Sequence, residues 1–348
     1  MLIQADKLRT LVADILKSKE VRPEEAELVA NQLVESNLVG YDSHGVIRVP
    51  RYVRAIEGGE ININASIKVT RESPSSLTID GDWGLGPVVA GEALRLAIEG
   101  AARQGVCYAG VLNCNDVGRL GTYTTNAARE GFVAIMMVND GGAHPHVPPW
   151  GGISPLLSTN PIAASFPREG GEPLGIDLST SICAGGKIQV ALKRGQMLPD
   201  GVIIDSEGRP TNDPGDFFGI PPGAVLPLGS PVAGHKGFAL SLMVDILAGA
   251  LSGAGCSGSG GRDAQGIFLL LMDVDSVTDR DKFNTHVRGL VDSIRSVPVA
   301  QGVDEIRIPG ERQRSIKQER LDQGIEIEET TWSELAQIAR DLGVRATA

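Results

Sequence analysis

The chain has 348 residues, 42% of them apolar and 22% charged, which is typical of a globular protein and excludes a disordered or fibrous chain. Its net charge of −11 argues against nucleic acid or an anionic membrane as the main partner, so an anionic substrate needs a local cation. No apolar stretch approaches the roughly 20 residues that span a bilayer and no signal peptide is evident, so we expect a cytoplasmic protein.

The first third of the chain is predicted to begin with helices. Apolar residues recur at helical spacing over 6–19 and 23–38. A third helix is predicted over 46–56, with Ser43 as its N-cap and glycines after its end. We assign residues 1–75 to an N-terminal helical unit that carries substrate-binding residues.

The middle of the chain alternates between strand-like and helix-like segments, which predicts an α/β layer. Strands are predicted over 76–80, 106–112, 132–138, 162–166, 174–178, 202–205, 267–274 and 305–308. Helices are predicted over 87–104, 122–130, 187–194, 235–251 and 279–296. These segments form an α/β core, 76–310, with a helical insertion at about 187–260.

The C-terminal segment, 311–348, is predicted to pack back on the N-terminal unit, which makes the domains discontinuous. Within it, Thr331-Trp332-Ser333-Glu334 matches a capping box and is expected to open the last helix.

Side chains suited to acid–base chemistry concentrate between Asp42 and Tyr52. His44 titrates near neutral pH, and the guanidinium of Arg48 can hold a carboxylate with two hydrogen bonds. Arg48 and Tyr52 lie at i and i+4, so they share one face of the predicted helix. This combination suits interconversion of a 2-keto acid and a 2-hydroxy acid. From these residues alone, a capped surface helix with an incidental histidine remains the alternative.

Two glycine patterns were compared with the dinucleotide-binding fingerprint. Gly84-Leu85-Gly86 lies between a strand and a helix, but Val89 occupies the third glycine position. The segment 253–258 matches literally, yet it follows a helix rather than a strand. A dinucleotide would therefore bind by other means than a Rossmann fingerprint.

Metal and hydrolase sites have little support. His144-Pro145-His146 lacks a third ligand at metal-binding spacing, and the four cysteines form no CxxC motif. No Gly-x-Ser-x-Gly elbow occurs. We predict no metal.

Three further stretches suit ligand binding, each with a simpler alternative. Asp177 closes an apolar strand and could orient a ring or ribose, or only cap the next turn. His235-Lys236 opens a helix, where free N–H groups and a cation suit an anion, although a solvated helix start is the alternative. Pro309-Gly310-Glu311 could be no more than a turn.

Six stretches occur in an order and spacing that identify a family. They are Asp42-Ser43-His44-Gly45, 113–121 (NCNDVGRLG), Thr159-Asn160-Pro161, 177–181 (DLSTS), Gly234-His235-Lys236-Gly237 and Pro309-Gly310-Glu311. Together they resemble the malate/L-lactate dehydrogenase family of the non-Rossmann type. That family includes sulfolactate and ureidoglycolate dehydrogenases, diketogulonate reductase and piperidine-carboxylate reductase. The resemblance covers nearly the whole chain.

The resemblance implies an α/β, non-Rossmann NAD(P)-binding fold like that of L-sulfolactate dehydrogenase. It also implies a homodimer with the active site between domains or subunits. His44 becomes the proton donor or acceptor, and Ser43, Arg48, Tyr52 and Thr159 surround a small anionic carboxylate substrate. The residues assigned to NAD or NADP are Asn139, Asp140, Asp177, Leu178, Ser179, His235, Lys236, Pro309, Gly310 and Glu311.

Asp116, the remaining catalytic candidate, departs from the family pattern, because many members have histidine there. An aspartate cannot act as a neutral imidazole does at pH 7 unless its pKa is strongly raised. Either His44 carries the proton alone and Asp116 orients it, or the activity is weakened or redirected. An ionised Asp116 close to His44 is expected to raise the pKa of the histidine.

The leading hypothesis is an NAD(P)-dependent 2-hydroxyacid dehydrogenase or 2-ketoacid reductase acting on a malate-, lactate-, sulfolactate- or ureidoglycolate-like acid. One alternative is a reductase of a cyclic imine carboxylate. The other is a catalytically weakened relative that binds a nucleotide or an acid, suggested by Asp116 and by the 151–154 loop.

Overall fold

The computed structural model describes residues 1–141, 145–260, 262 and 264–346. Its strands are β1 (Leu2–Ile3), β2 (Lys68–Ser73), β3 (Ser76–Gly84), β4 (Val106–Cys114), β5 (Phe132–Asn139), β6 (Ile162–Phe166), β7 (Leu174–Leu178), β8 (Ile203–Ile204), β9 (Pro210–Thr211), β10 (Ala224–Val225), β11 (Gln265–Asp273) and β12 (Ile325–Glu326). Its helices are α1 (Ala5–Lys17), α2 (Pro23–Leu38), α3 (Val49–Glu57), α4 (Gly86–Gln104), α5 (Leu120–Arg129), α6 (Gly185–Lys193), α7 (Pro214–Phe217), α8 (Gly234–Val244), α9 (Val274–Val277), α10 (Arg280–Ser296), α11 (Glu311–Gln323) and α12 (Glu329–Asp341).

The centre of the molecule is a seven-stranded sheet in the order β2-β3-β4-β11-β5-β6-β7. Strands β3 and β4 run parallel, and each other neighbouring pair in this sheet is antiparallel. Small apolar residues of α4 and α5 pack against the apolar strands β4, β5 and β11 to form one core. The mostly antiparallel sheet differs from the parallel sheet of a Rossmann domain.

A second core joins the two ends of the chain. Apolar side chains of α1, α2 and α3 pack together with Ile325, Ile327, Leu335 and Ala339 from the C-terminal segment. Strand β1 also pairs antiparallel with β12. The C-terminal segment therefore contacts the N-terminal helices, while the predicted domain boundaries themselves stay predictions.

A smaller unit lies between β7 and α8. Strands β10, β8 and β9 form a three-stranded sheet, and Ile188 of α6 and Phe217 of α7 pack on Ile203 within it. The region expected to be a helical insertion therefore contains strands as well as helices. The helix predicted over 235–251 is also divided, because α8 ends at Val244 and a π-helical segment, Asp245–Ala250, follows it.

Two local predictions in the last part of the chain are wrong. Residues 305–308 form no strand, because they pair with no strand among the described residues. The last helix begins at Glu329, and the Trp332 amide donates to the carbonyl of Glu328 at 2.9 Å. Thr331 is consequently a buried residue inside the helix rather than its cap.

Within the described residues, no helix is both long and apolar enough to cross a membrane. The same residues contain no group of three or more His, Cys, Asp or Glu side chains that could hold a metal ion. His144, from the weighed His144-Pro145-His146 motif, lies outside the described residues. The four cysteines are free thiols.

Candidate active site

The segment that carries His44 is a pair of tight turns rather than the start of a long helix. Asp42–His44 and Val46–Arg48 form 3-10 turns, and α3 begins only at Val49. Ser43 is therefore not an N-cap, which corrects the sequence prediction. Pro50 sits at the start of α3, where its missing N–H needs no partner.

Gly45 allows these turns to pack tightly on α2. A Cβ at this position would overlap the side-chain amide of Asn37. The Asn37 oxygen accepts a hydrogen bond from the Val46 amide at 2.9 Å, and its nitrogen donates to Asp42 at 2.7 Å. The turns that present Ser43 and His44 are thus fixed by α2.

Asp116 follows β4 and lies beneath these turns, with 7% of its surface exposed. Arg48 Nη1 donates to Asp116 Oδ2 at 2.8 Å, and Arg51 lies 3.7 Å from the same oxygen. The Gly118 amide donates to Oδ1 at 3.0 Å. The hydroxyl of buried Tyr52 donates to the Asp116 carbonyl oxygen at 3.1 Å. Asp116 therefore joins the N-terminal unit to the sheet.

Arg48 is fixed by the protein at two of its three guanidinium nitrogens. Besides the bond to Asp116, its Nε donates to the Ser43 carbonyl oxygen at 2.8 Å. Within the described residues, Nη2 makes no such bond. Arg48 lines the candidate site as predicted, but a two-point grip on a substrate carboxylate would have to displace one of these protein oxygens.

His44 is held in a defined orientation, because Ser43 Oγ lies 3.0 Å from its Nδ1. Burial and the neighbouring Arg48 guanidinium lower the pKa of His44 to about 4, although Asp116 acts in the opposite direction. The charge of Asp116 does raise the pKa of His44, as expected. The expectation that the pKa of His44 is raised overall is wrong, because burial and Arg48 lower it by more. Its imidazole is neutral at pH 7.

Asp116 is ionised at neutral pH. Burial by itself would raise the pKa of Asp116, but the guanidinium groups of Arg48 and Arg51 outweigh burial and lower it to about 2. An aspartate with such a pKa cannot donate or accept a proton in a reaction at pH 7. Asp116 can orient its neighbours and balance their charge.

His44 and Asp116 open onto a cavity of about 480 Å³. The predicted site residues that line it are Ser43, His44, Arg48, Asp116, Asn139, Asp140 and Thr159. Lining residues that sequence reasoning did not select include Arg51, His146, Ser158, Gly185, Gly186, Gln189, Phe217, Phe218, Gln265 and Glu334. Arg51 lies within the Asp42–Tyr52 stretch and His146 within the motif considered for a metal, whereas the other residues come from separate loops and helix ends that no local pattern marked.

Asn139 closes one wall of the cavity with its side chain fully engaged. Its Nδ2 donates to Asp245 Oδ1 at 2.7 Å and to the Gly255 carbonyl at 2.9 Å, and its Oδ1 accepts from the Gly266 amide at 3.2 Å. The Asn139 amide thus ties β5 to β11 and to the π-helical segment. Its contribution to the cavity is positional.

The first turn of α6 forms another wall of the cavity. Gly185 and Gly186 line the cavity, and Ala184, which precedes the helix, provides no side-chain cap. Free backbone N–H groups at a helix start favour an anion, and glycine lets a ligand approach them closely. A volume of this size suits small-molecule ligands. These residues therefore fit a nicotinamide ring next to a small carboxylic acid.

The remaining predicted site residues lie outside this cavity. Asp177 pairs with Arg119 Nε at 3.0 Å and accepts from the Gly121 amide at 3.1 Å. Leu178, His235 and Lys236 are exposed, and His235 meets the Trp150 ring edge-on. The others are Tyr52, Ser179, Pro309, Gly310 and Glu311, and Tyr52 is buried with its hydroxyl on the Asp116 carbonyl oxygen. Gly310 lines a separate groove of about 1000 Å³.

The pKa of Asp177 is shifted in the direction opposite to that of Asp116. Burial raises the pKa of Asp177, and the single neighbouring guanidinium of Arg119 only partly opposes that effect. The Asp177 carboxylate is engaged within the protein by Arg119 and the Gly121 amide, and it does not line the cavity.

The chain is similar over nearly its whole length to known proteins. Residues 3–336 match the family model described as malate/L-lactate dehydrogenase. The malate dehydrogenase of Pyrococcus abyssi is 36% identical over 99% of this chain and 95% of its own length. The sulfolactate dehydrogenase structure from Methanocaldococcus jannaschii superposes with a TM-score of 0.88 at 33% identity, covering 99% and 98% of the two chains.

A third relative has a related chemistry. The structure of delta1-piperideine-2-carboxylate reductase from Pseudomonas syringae superposes with a TM-score of 0.85 at 30% identity, covering 97% of this chain and 100% of that one. The predicted non-Rossmann, sulfolactate-dehydrogenase-like fold is thereby confirmed. The predicted function, an oxidoreductase that interconverts 2-hydroxy and 2-keto acids with a nicotinamide cofactor, is confirmed as well. The chain belongs to the malate/L-lactate dehydrogenase family.

Proposed function

We propose that this oxidoreductase works at the cavity between the His44 turn and α6, with His44 as the group that moves the proton and NAD or NADP as the cofactor. The observation that carries the proposal is a neutral, oriented imidazole on the wall of a cavity of about 480 Å³ that also contains arginine and free helix N–H groups. A neutral imidazole is the form that accepts a proton.

In the oxidative direction, His44 accepts the proton of the substrate hydroxyl. Ser43 holds Nδ1, which leaves Nε2 as the nitrogen for the substrate. In the reductive direction Nε2 first takes up a proton from solvent and then transfers it to the developing alkoxide oxygen. When bound, the nicotinamide ring takes or supplies the hydride.

The substrate carboxylate is held by Nη2 of Arg48 together with the amides of Gly185 and Gly186. These groups lie on the cavity wall, and none of them needs to break an existing side-chain bond. Thr159 also lines the cavity and supplies a hydroxyl. Fixed donors of this kind align the reacting carbon and cost little reorganisation during the reaction.

The part of the cofactor beyond the nicotinamide ring is assigned to Asp177, Leu178, Ser179, His235, Lys236, Pro309, Gly310 and Glu311. His235 and Lys236 support this assignment because they are exposed at the start of α8, where a cation and free N–H groups favour phosphate. Asn139 and Asp140 contribute from the cavity wall.

We further propose a homodimer, supported by an apolar surface on α8 and the π-helical segment. Its exposed residues are Leu240, Leu242, Met243, Ile246 and Leu251, and Ile246 and Leu242 expose 50% and 46% of their surfaces. Contiguous apolar surface of this kind commonly marks a protein interface. Light scattering should give twice the chain mass, and Leu242→Glu should give the monomer. A monomeric wild type would contradict the proposal.

The function is tested by fluorescence titration with NADH and NADPH, followed by turnover with a panel of 2-keto acids, 2-hydroxy acids and cyclic imine carboxylates. Turnover of keto and hydroxy acids is expected. Turnover of cyclic imines alone would favour the second candidate, which the likeness to the piperideine-carboxylate reductase supports. Tight cofactor binding without any turnover would favour a binding protein. The cytoplasmic location stays a prediction.

A further inference from the structure

The charged side chains that line the cavity are balanced. Within the described part of the chain, those that line it are Arg48, Arg51, Arg54, Asp116, Asp140 and Glu334. Three are cationic and three are anionic. The protein supplies as many carboxylates as guanidinium groups here. Each carboxylate on a ligand therefore competes with a protein carboxylate for a guanidinium group.

Asp116 is the carboxylate placed most directly on the arginines. Its Oδ2 contacts both Arg48 and Arg51, at 2.8 and 3.7 Å, and its burial keeps solvent from screening the interaction. The pair of arginines would otherwise present two positive charges next to His44. Asp116 cancels one of them, whatever else Arg51 contacts.

The cavity also has an apolar part that suits an uncharged substituent. Ile47 and Pro50 line it beside the arginines, and Phe217 and Phe218 line it with their rings perpendicular and 4.9 Å apart. A second ionised group on the substrate would lose water against these apolar side chains.

We propose that Asp116 determines substrate specificity by favouring 2-keto and 2-hydroxy acids with a single carboxylate over dianionic acids. The inference rests on the proposed function and adds the substrate class. A monocarboxylate needs only the positive charge that Asp116 leaves uncancelled. A dicarboxylate or a sulfonated acid brings a second negative charge close to the Asp116 carboxylate, and this repulsion weakens its binding in the ground and transition states alike.

The test compares two keto acids of the same skeleton. Oxaloacetate ends in a carboxylate where 4-methyl-2-oxopentanoate ends in an isopropyl group of similar shape. At pH 7 and saturating reduced cofactor, the wild-type kcat/KM should be higher for 4-methyl-2-oxopentanoate. In Asp116→Asn, which removes the charge at nearly constant size, the ratio should move toward oxaloacetate by about tenfold or more.

Two matched variants separate charge from shape. Asp116→Glu keeps the charge and should keep a preference for the monocarboxylate. Glu35→Gln removes a carboxylate that pairs with Lys317 at 2.7 Å outside the cavity, and should leave the ratio unchanged. Because both kcat/KM values come from the same preparation, partial misfolding of a variant cancels in the ratio.

The inference is overturned if the wild type reduces oxaloacetate at least as efficiently as the branched acid. It is also overturned if Asp116→Asn and the wild type give the same ratio. In both cases turnover of keto acids still supports the proposed function. Failure to reduce any 2-keto acid would overturn both the specificity proposal and the proposed function. The ratio of the two kcat/KM values in the wild type tests the specificity proposal even if no variant folds.

Discussion

Asp116 and Asp177 are surrounded by the same kinds of group, and yet their pKa values are shifted in opposite directions. Asp116 and Asp177 each pair with an arginine, at 2.8 and 3.0 Å, and each accepts a bond from a backbone amide two or more residues away. A tyrosine hydroxyl donates to the backbone carbonyl of each, Tyr52 to Asp116 and Tyr41 to Asp177, both at 3.1 Å.

The difference lies in the number of cations. Asp116 has Arg51 in addition to Arg48, and its pKa falls to about 2 in spite of burial. Asp177 has Arg119 alone, and burial raises its pKa. One guanidinium therefore does not offset the desolvation of a buried carboxylate here, whereas two do. Asp116, the carboxylate with the lowered pKa, is the one next to His44.

The largest expected effect is on turnover, and it follows from removal of His44, which lies next to Asp116. His44→Ala should lower turnover by about 100-fold or more, because the reaction loses its proton acceptor and donor. The Kd of reduced cofactor should stay near the wild-type value, as measured by fluorescence titration. Tyr41→Phe, beside Asp177, is the matched control and should retain turnover. Unchanged turnover in His44→Ala would remove His44 from the mechanism.

Removal of Arg48 beside Asp116 and of Arg119 beside Asp177 should change the free energy of unfolding in different ways. Arg48→Met leaves an ionised, buried Asp116 with one cation, so the free energy of unfolding should fall by roughly 3 kcal/mol in urea titrations at pH 7. Arg119→Met leaves Asp177, whose pKa is already raised, free to take up a proton.

The loss in Arg119→Met should accordingly be larger at pH 8 than at pH 5, because only at the lower pH can the proton replace the missing cation. Arg48→Met should show a weaker dependence over the same range, since the pKa of Asp116 starts near 2. Equal losses at both pH values in Arg119→Met would show that Asp177 stays ionised.

The pH dependence of oxidation should report on Asp116 and not on Asp177. Because the pKa of His44 is about 4, the rate should be nearly constant from pH 8 to about pH 5 and should fall below that as the imidazole takes up a proton. Asp116 acts to raise this pKa, so Asp116→Asn should move the midpoint to lower pH.

Asp177→Asn is the control for that shift, because Asp177 is not among the groups that perturb His44. Its midpoint should match the wild type. Superimposable oxidation profiles for the wild type and Asp116→Asn would show that His44 and Asp116 are not coupled.

The smallest expected effect is loss of the tyrosine hydroxyls. Tyr52→Phe removes a buried bond to the Asp116 carbonyl and should lower the free energy of unfolding by about 1 kcal/mol. Tyr41 is less buried, and water can replace its hydroxyl, so Tyr41→Phe should cost less. Thermal unfolding of both variants measures the two losses of stability. A larger loss in Tyr41→Phe than in Tyr52→Phe would contradict the prediction.

Much of the secondary structure could be predicted from the sequence, because periodic apolar patterns are local. Helix α2 and strands β6 and β7 have the predicted bounds. Predictions that rested on short motifs were weaker. The four-residue capping motif at Thr331 lies inside a helix that starts earlier, and 305–308 has strand-like residues without a neighbouring strand. A strand needs a partner, which local sequence does not specify.

The sequence by itself determined the family, the sheet-and-helix composition and the grouping of Ser43, His44 and Arg48, since these residues are neighbours in the chain. Only the tertiary structure decided which distant residues complete the cavity, among them Gly185, Phe217 and Gln265. It also decided the charge states: the pKa of His44 is lowered rather than raised, because burial and Arg48 outweigh Asp116. Burial and the distances between charges are properties of the folded chain, and the order of residues does not contain them.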